Sequence, residues 1–489
     1  MRFHALFAGL ARPRTASSGE PIGVPTLPRD RRVVVVANRL PVQRSRAGAT
    51  SDREHWEVSP GGLVAALLPF AQRRKGSWVG WTGGADHPTR PFQIDGVTMR
   101  PVALSDADIR DYYHGFSNRT LWPLFHDAIR TPEFHRHWWR KYVEVNHRFA
   151  QAAAKSCKPG DVVWIHDFHL LLVPRMLRTL RRDVKIGFFL HIPFPPEELF
   201  AWLPWRAQML EGLLGADLIG FQIQPDARNF ARLAREFGGA EGTDSELTVG
   251  RRRVRVGAFP ISIDFDGFST LAQRPETVAR AKSIRKQIGA DRKIVLCVDR
   301  LDYTKGIEPR LNAWEAMLDQ RDVSVDKHVL VQVAVPSRQS VPDYATLRED
   351  VERAVGRING EFSQPGRVAV HYFRRNLPRD ELVAWYCAAD VMLVAPLRDG
   401  MNLVCKEFVA SRPDLGGVLV LSEFAGAARE LRRALLVNPR DIVGLAHSIR
   451  TALSLPHEEA RQRMVILRTI IRRHNVHVWA QEFLQAVVE

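Results

Sequence analysis

The chain reads as a two-domain α/β protein built on two doubly wound parallel sheets. Three observations predict this. Short β-branched apolar runs recur between residues 33 and 440, and most end in a polar tip followed by a turn or a helical pattern. The runs fall into two series, one reaching residue 260 and one starting near 290. A chain of 489 residues also has room for two or more domains with large cores.

In chain order, residues 1–32 read as a flexible extension, rich in Pro, Arg, Ser and Gly over 11–32. Residues 33–37 form an apolar β-branched run suited to a central parallel strand, and it ends in Asn38, Arg39, Leu40 and Pro41. A glycine turn at 59–63, with Gly61 and Gly62, opens a helix over 64–68 and is a possible anion cradle. Residues 78–81 are a short strand with Trp81 near its tip. Residues 105–150 read as helical and are crowded with aromatics, among them Tyr113 and Trp122, most of which belong to a core. The strand at 162–165 ends in His166, Asp167, Phe168 and His169, with a helix expected from Leu170. The strand at 186–190 ends in His191, and Pro195 and Pro196 start the next helix. Strands at 218–221 and 256–260 follow, and 265–290 is expected to link the domains.

In the second series, 294–298 ends in Asp299-Arg300-Leu301-Asp302-Tyr303-Thr304-Lys305-Gly306. The strand at 329–335 ends in Pro336, Ser337 and Arg338, and 368–372 is a further short strand. Residues 391–395 form a buried strand, 396–400 a turn, and a helix follows with Leu403, Val404, Phe408 and Val409 apolar. Gly400 lets the backbone come close to a ligand. The free N–H groups around Met401, Asn402 and Leu403 suit phosphate. Asp399 ends the turn, where a carboxylate can accept hydrogen bonds from hydroxyl groups. Glu407 shares the helix face of Gly400. Strands at 418–421 and 435–437 and helices over 456–489 complete the chain. The expected division is 33–265, 266–469 and a last helix at 470–489.

The net charge of +16 comes largely from Arg, yet no basic tail or nucleic-acid motif accompanies it. Nucleic acid is therefore not an expected partner, and a few arginines are reserved for small phosphate-bearing ligands. The four cysteines form no C-x-x-C and suit a reducing, cytoplasmic setting. No apolar run approaches a membrane span. G-x-G-x-x-G, P-loop, H-E-x-x-H and G-x-S-x-G motifs are missing, so neither a redox cofactor nor a metal is expected. His166 and His169 have a metal-like spacing that is common without a metal.

Ligands of open parallel sheets bind beyond the carboxyl ends of the strands. Here those ends carry Arg39, Trp81, Asp167, His191, Arg300, Lys305, Arg338, Asp399 and the 400–403 turn. Their collection in both series points to one cleft between two facing sheets. Arg300 and Lys305 fit a diphosphate, and Glu407 fits a ribose diol.

The segments VVVVANRLPV, SPGGL, WVGW, YYHGFSNRTLWPLFH, VVWIHDFHLLLVPRMLR, IGFFLHIPFPP, DLIGFQ, VDRLDYTKGI, PSR, GRINGEF, APLRDGMNLVCKEFVA and GVLVLSEFAGAA run in order over residues 33–440. Together they resemble the retaining glycosyltransferases of family 20, which make trehalose 6-phosphate. The resemblance implies a GT-B fold, with two facing Rossmann-like domains and the last helix crossing back to the first domain. It implies that a nucleotide-glucose donor meets Arg300, Lys305 and the backbone of Gly400, Met401, Asn402 and Leu403, with Gly62 closing over it. Glu407 would hold the ribose, and His191 and Asp399 the transferred glucose. Glucose 6-phosphate would be gripped by Arg39 and Arg338, bordered by Tyr113, Trp122 and Trp81, and held at its hydroxyls by Asp167. The catalytic set would be Asp167, His191, Arg300, Lys305 and Asp399, with no metal or cofactor, acting by front-face displacement with retention. The motifs do not separate UDP-, GDP- and ADP-glucose, and UDP-glucose is the first choice. A dimer or tetramer is implied, and dephosphorylation of the product is expected elsewhere. Competing readings are a glucosylglycerol-phosphate synthase using glycerol 3-phosphate, a sugar-nucleotide epimerase on the same fold, and a non-catalytic sensor of sugar phosphates.

Overall fold

The structure, a computed structural model, describes residues 31–44, 56–58, 64, 67–68, 71–72, 76–85, 90–338 and 341–489. The expected glycine turn with Gly62 and most of the 1–32 extension lie outside the described residues.

The first half carries β1 (Val33–Arg39), β2 (Val42–Arg44), β3 (Trp56–Val58), β4 (Ser77–Trp81), β5 (Phe92–Ile94), β6 (Val97–Pro101), β7 (Val162–His166), β8 (Lys185–Phe189), β9 (Leu218–Phe221), β10 (Glu241–Gly242), β11 (Glu246–Val249) and β12 (Arg252–Ala258). The second half carries β13 (Lys293–Arg300), β14 (His328–Val335), β15 (Val370–Phe373), β16 (Val391–Val394), β17 (Val418–Ser422) and β18 (Leu435–Val437). Among the described residues the first sheet has ten strands in the order β10-β11-β12-β9-β8-β7-β1-β4-β6-β5, and the second has six in the order β15-β14-β13-β16-β17-β18. The second is parallel throughout. The first is parallel from β12 to β6 and gains antiparallel strands only at its edges.

Helices cover both faces of the parallel strands, so β1, β7 and β16 are buried along their length apart from Arg39. That double burial is why these strands appear in the sequence as unbroken apolar runs. Strand order reverses between β1 and β7 in the first sheet and between β13 and β16 in the second. Each reversal opens a crevice at the carboxyl ends of the two strands.

Three expectations change. The 105–150 stretch is not one helical run. Ser105 caps a short helix at Asp106–Asp108, a π-helix spans Ile109–Leu121, and the long helix Arg136–Ser156 comes after a loop. The segment 265–290 is not a link. It forms helices Phe265–Gln273 and Pro275–Ile288, which pack on helix Arg379–Ala388 of the second domain. Arg280 adds a two-pronged ion pair to Glu381 at 2.7 Å. The chain therefore crosses between β12 and Phe265, over residues 259–264. The strands β5 and β6, absent from the sequence reading, form a hairpin across Asp95 and Gly96, at φ 47° and 79°.

Helix His457–Arg473 packs on the second domain, and helix Val476–Val488 then lies on β7, β8 and β9 of the first sheet. A β-carbon at Gly187 or Gly220 would press into the Phe483 ring, so glycine in β8 and β9 lets this helix sit down on the sheet. Val476 N–H donates to Ile263 O at 3.0 Å, which ties the returning crossing to the outgoing one. Among the described residues no helix is long and apolar enough to cross a membrane.

Candidate active site

The two strand-order reversals face one another across a cleft with a cavity of about 590 Å³. Its wall includes Arg39, Tyr113, Trp122, Asp167 and His191 from the first domain and Arg300, Arg338 and Asp399 from the second.

Arg39 ends β1 with its guanidinium 4.0 Å from the Trp81 ring centre and 5.7 Å from that of Tyr113. Trp81 is only 2% exposed, and its Nε1–H donates to Gly84 O at 2.7 Å. It backs Arg39, while Trp78 and Thr82 supply the adjacent wall; the sequence had placed Trp81 itself there. Tyr113 reaches the cleft from the π-helix, a conformation that often marks functional sites, and stacks on His169 at 5.7 Å.

Arg338 sits just past β14 at φ 46°. Its Nη1 donates to Asp302 Oδ2 at 2.9 Å and to the Tyr344 hydroxyl at 2.5 Å, and its guanidinium lies 3.7 Å from the Trp122 ring centre. Tyr344 OH also donates to Asp302 at 3.0 Å. Asp302 is fully buried. Burial alone would raise its carboxyl, but Arg338, Arg300 and Lys305 hold it far below the usual carboxylate range. The Arg300 guanidinium also lies near Trp122, 5.2 Å from its ring centre. His126 packs on the same indole at 4.1 Å, donates through Nδ1 to Trp122 O at 2.7 Å, and is pushed by burial down to about 3. Sequence reasoning gave no role to Asp302, Tyr344 or His126. The only hint was the position of Asp302, two residues past Arg300 at the same tip.

Asp167 follows β7 at φ 75°, ψ 168°. That region is nearly restricted to glycine, so the backbone is strained where the side chain meets the cleft. His191 N–H donates to Asp167 Oδ1 at 3.4 Å. Burial lifts the Asp167 carboxyl to about 6 despite the hydrogen bonds and distant arginines that oppose it. His191 is half-buried, and burial pushes its imidazole down to about 3. Its Nε2 is 3.1 Å from His166 Nδ1. His166 therefore pairs with His191 and His169 stacks on Tyr113. No group of three metal-ligating side chains forms among the described residues.

In the second domain, Lys305 Nζ donates to Asp399 Oδ2 at 2.6 Å, and Asn402 Nδ2 donates to the same oxygen at 3.1 Å. Burial would raise the Asp399 carboxyl, but the Lys305 charge and these hydrogen bonds hold it below its ordinary value. Helix Leu403–Ala410 starts after Asn402, whose side chain accepts from Cys405 N–H at 3.1 Å. One of the helix-start donors is thus already used. Met401 is buried at 3% exposure. Gly400 makes its close approach to protein, not to open space. A β-carbon there would collide with the His191 carbonyl oxygen of the other domain. Glu407 is half-buried, accepts from Tyr386 OH at 3.0 Å, and is raised by burial. Lys305, Glu407 and residues 400–403 do not form the wall of the 590 Å³ cavity.

Residues 31–489 match the model of glycosyltransferase family 20. Among curated proteins, the trehalose-6-phosphate synthase of Mycolicibacterium smegmatis is 54% identical over 463 residues, covering 93% of this chain and 92% of that protein. One from Mycobacterium sp. strain KMS is 53% identical over 487 residues, covering 97% and 98%. Among solved structures, the UDP-forming α,α-trehalose-phosphate synthase of Burkholderia vietnamiensis superposes with a TM-score of 0.85 at 36% identity, covering 94% of this chain and 99% of that one. A Burkholderia xenovorans enzyme of the same description, in complex with glucose 6-phosphate, gives 0.85 at 34% identity and covers 94% and 100%. With two parallel α/β domains meeting at their switch points and a family match over nearly its whole length, the chain belongs to glycosyltransferase family 20.

Proposed function

We propose that the chain transfers glucose from UDP-glucose to glucose 6-phosphate with retention, giving α,α-trehalose 6-phosphate and UDP. The observation that carries this is a cleft in which Arg39 of the first domain faces Arg300, Arg338 and Asp399 of the second, with Lys305 paired to Asp399 behind that wall. Two separate phosphate-bearing ligands need two separate sets of cations, and Arg39 with Arg338 and Arg300 with Lys305 are the two sets this reading uses.

In this reading Arg39 and Arg338 grip the acceptor phosphate, Tyr113 and Trp122 border its ring, Trp81 supports Arg39, and Asp167 accepts from its hydroxyls. Arg300, Lys305 and the backbone at 400–403 receive the donor diphosphate. Glu407 holds the ribose, and His191 and Asp399 hold the transferred glucose. Lys305 has three N–H donors and gives one to Asp399, so others stay available to phosphate. The bond from the anomeric carbon to the diphosphate oxygen breaks through an oxocarbenium-like state. The acceptor oxygen bonds to that carbon from the same face, and its proton passes to the departing oxygen. Arg300 and Lys305 stabilise the charge developing there.

Glycerol 3-phosphate as acceptor is the weaker reading, because a similar solved structure binds glucose 6-phosphate and the similar curated proteins are named for trehalose 6-phosphate. We place the protein in the cytoplasm as a homo-oligomer; its four cysteines are all free thiols, as a reducing compartment favours. The test is the purified chain with UDP-, GDP- or ADP-glucose against glucose 6-phosphate or glycerol 3-phosphate. Nucleotide release and the anomeric couplings of the product are scored. A β-linked product, or release with glycerol 3-phosphate alone, would overturn the proposal.

A further inference from the structure

His166 lies directly behind His191 and has no assigned role. It is fully buried at the end of β7, with its ring 5.3 Å from that of His191 and tilted by 30°. His166 Nδ1 and His191 Nε2 are 3.1 Å apart, so one proton lies between two nitrogens. Burial disfavours the charged form of both rings, lowering His191 to about 3 and His166 well below its ordinary value. The pair therefore stays neutral at working pH, and only two tautomeric arrangements exist.

The far nitrogens separate them. Among the described residues His166 Nε2 is buried with no hydrogen-bond partner. Beside it the Trp164 ring, 4.8 Å away between centres, also buries an Nε1–H that finds no partner among the described residues. If His191 Nε2–H donated to His166, then His166 would carry its own proton on Nε2. A second orphan N–H would then stand in a pocket that already holds one. Buried N–H groups without partners are rarer than under-used acceptors. With the proton on His166 Nδ1 instead, Nε2 is a bare lone pair and adds no orphan donor. His191 must then carry its proton on Nδ1; both rings border the cleft, and His191 is the half-buried one.

We infer that His166 is a positioning residue: its Nδ1–H donates to His191 Nε2 and fixes His191 as a neutral hydrogen-bond donor toward the transferred sugar. Resting on the reading above, this gives the sugar site complementary polarity. The imidazole N–H donates to a hydroxyl oxygen, and Asp399, an acceptor, takes a hydroxyl hydrogen. The C-terminal helix covers the side of the pair away from the cleft, with Phe483 stacked on Trp164 at 4.8 Å and Trp479 at 6.4 Å from His191.

Neutron diffraction from deuterium-exchanged crystals of the full chain reads the tautomers without any substrate. Density for deuterium on Nδ1 of both rings is expected. Deuterium on Nε2 of His191 would overturn the inference whatever the reaction proves to be. The kinetic arm uses His166→Phe, which keeps a ring but removes the donor, and His166→Asn, whose amide can occupy the Nδ1 position. The phenylalanine variant should lower kcat/KM for the nucleotide-glucose by about tenfold, the loss of one hydrogen bond, with the KM for glucose 6-phosphate unchanged. The asparagine variant should recover most of that loss. Equal losses in both variants would mean a packing role and would overturn the positioning role. The expected tautomer with unchanged donor kinetics would instead remove His191 from the glucose site proposed above.

Discussion

Asp167 should limit stability and activity in opposite directions, and pH should separate the two. Burial lifts its carboxyl from 3.8 to about 6. Keeping it ionised in the fold therefore costs up to about 3 kcal/mol, at 1.36 kcal/mol for each pH unit of displacement. The side chain meets the cleft, so water screens part of this, and about 1–3 kcal/mol is expected. Asp167→Asn keeps the shape and an oxygen for the His191 N–H. The sign follows from the raised value. The cost is full above pH 6, shrinks as the folded-state carboxyl takes up a proton, and vanishes near pH 4. The variant should thus gain about 1–3 kcal/mol over the wild type at pH 8 relative to pH 4, read from denaturant midpoints and slopes at both pH values. It should lose acceptor turnover at the same time, because an amide cannot replace the full acceptor capacity of a carboxylate. Wild-type kcat/KM for glucose 6-phosphate should fall about tenfold per pH unit below 6, as Asp167 is protonated. A stability difference that does not change with pH, or one favouring the wild type more as pH rises, would refute the reasoning. The backbone strain at φ 75° is common to both proteins and drops out of the comparison.

Other outcomes follow from the same cleft. Arg300→Ala should lower kcat by about a hundredfold or more, as for loss of one transition-state donor, and near-normal turnover would exclude that role. Asp302→Asn should cost about 3–5 kcal/mol of stability, since it leaves Arg338 without its buried counter-charge, and should raise the KM for glucose 6-phosphate more than that for the donor. The Asp302 carboxyl is depressed, so its stabilisation is full above pH 4 and is lost on acidification; acid unfolding of the wild type and the variant should converge there. Arg398 reaches from the second domain to Asp127 at 3.3 Å and Asp226 at 3.5 Å in the first. Arg398→Ala should loosen closure, raise both KM values by about fivefold, and enlarge the radius of gyration of the substrate complex in X-ray scattering.

The sequence exposed most of what is regular here and little of what is relational. Strands such as β1, β7, β13 and β16 were legible because burial on both faces demands unbroken apolar runs. The cationic and acidic tips were legible because a polar residue after such a run has to emerge at the end of the sheet. Strands β5 and β6 were missed although Asp95-Gly96 is a hairpin signal, since each strand is short and β5 is only partly buried. The π-helix was invisible because a 3.6-residue period was the template, and a wider turn shifts every face after it. Roles that depend on distant partners could not be read. Arg338 finds Asp302 across 36 positions, and His166 finds His191 across 25. Trp81 was placed correctly at a strand tip, but alternation cannot say that its ring would carry a guanidinium instead of facing the cavity. At Gly400 the need for close approach was seen, while the object approached, the His191 carbonyl, belongs to the other domain.

How the cleft holds its cations explains why it suits two anionic substrates. Lys305 and Arg338 each have a carboxylate, Asp399 and Asp302, which sets their geometry and cancels much of their charge. Arg39 and Arg300 are held differently. Among the described residues neither has an ion-pair partner, and each lies against an indole, Trp81 at 4.0 Å and Trp122 at 5.2 Å. An aromatic face orients a guanidinium without supplying a full negative charge, so the edge of N–H donors stays available. One such uncommitted arginine comes from each domain. A phosphate bound to Arg39 and a diphosphate bound to Arg300 would each supply the missing counter-charge. Filling both positions would offset the positive charge that Arg39 and Arg300 bring to the cleft. On the proposed function the two phosphate sites would be coupled through charge, and both sets of cations meet Trp122, whose ring centre lies 5.2 Å from Arg300 and 3.7 Å from Arg338.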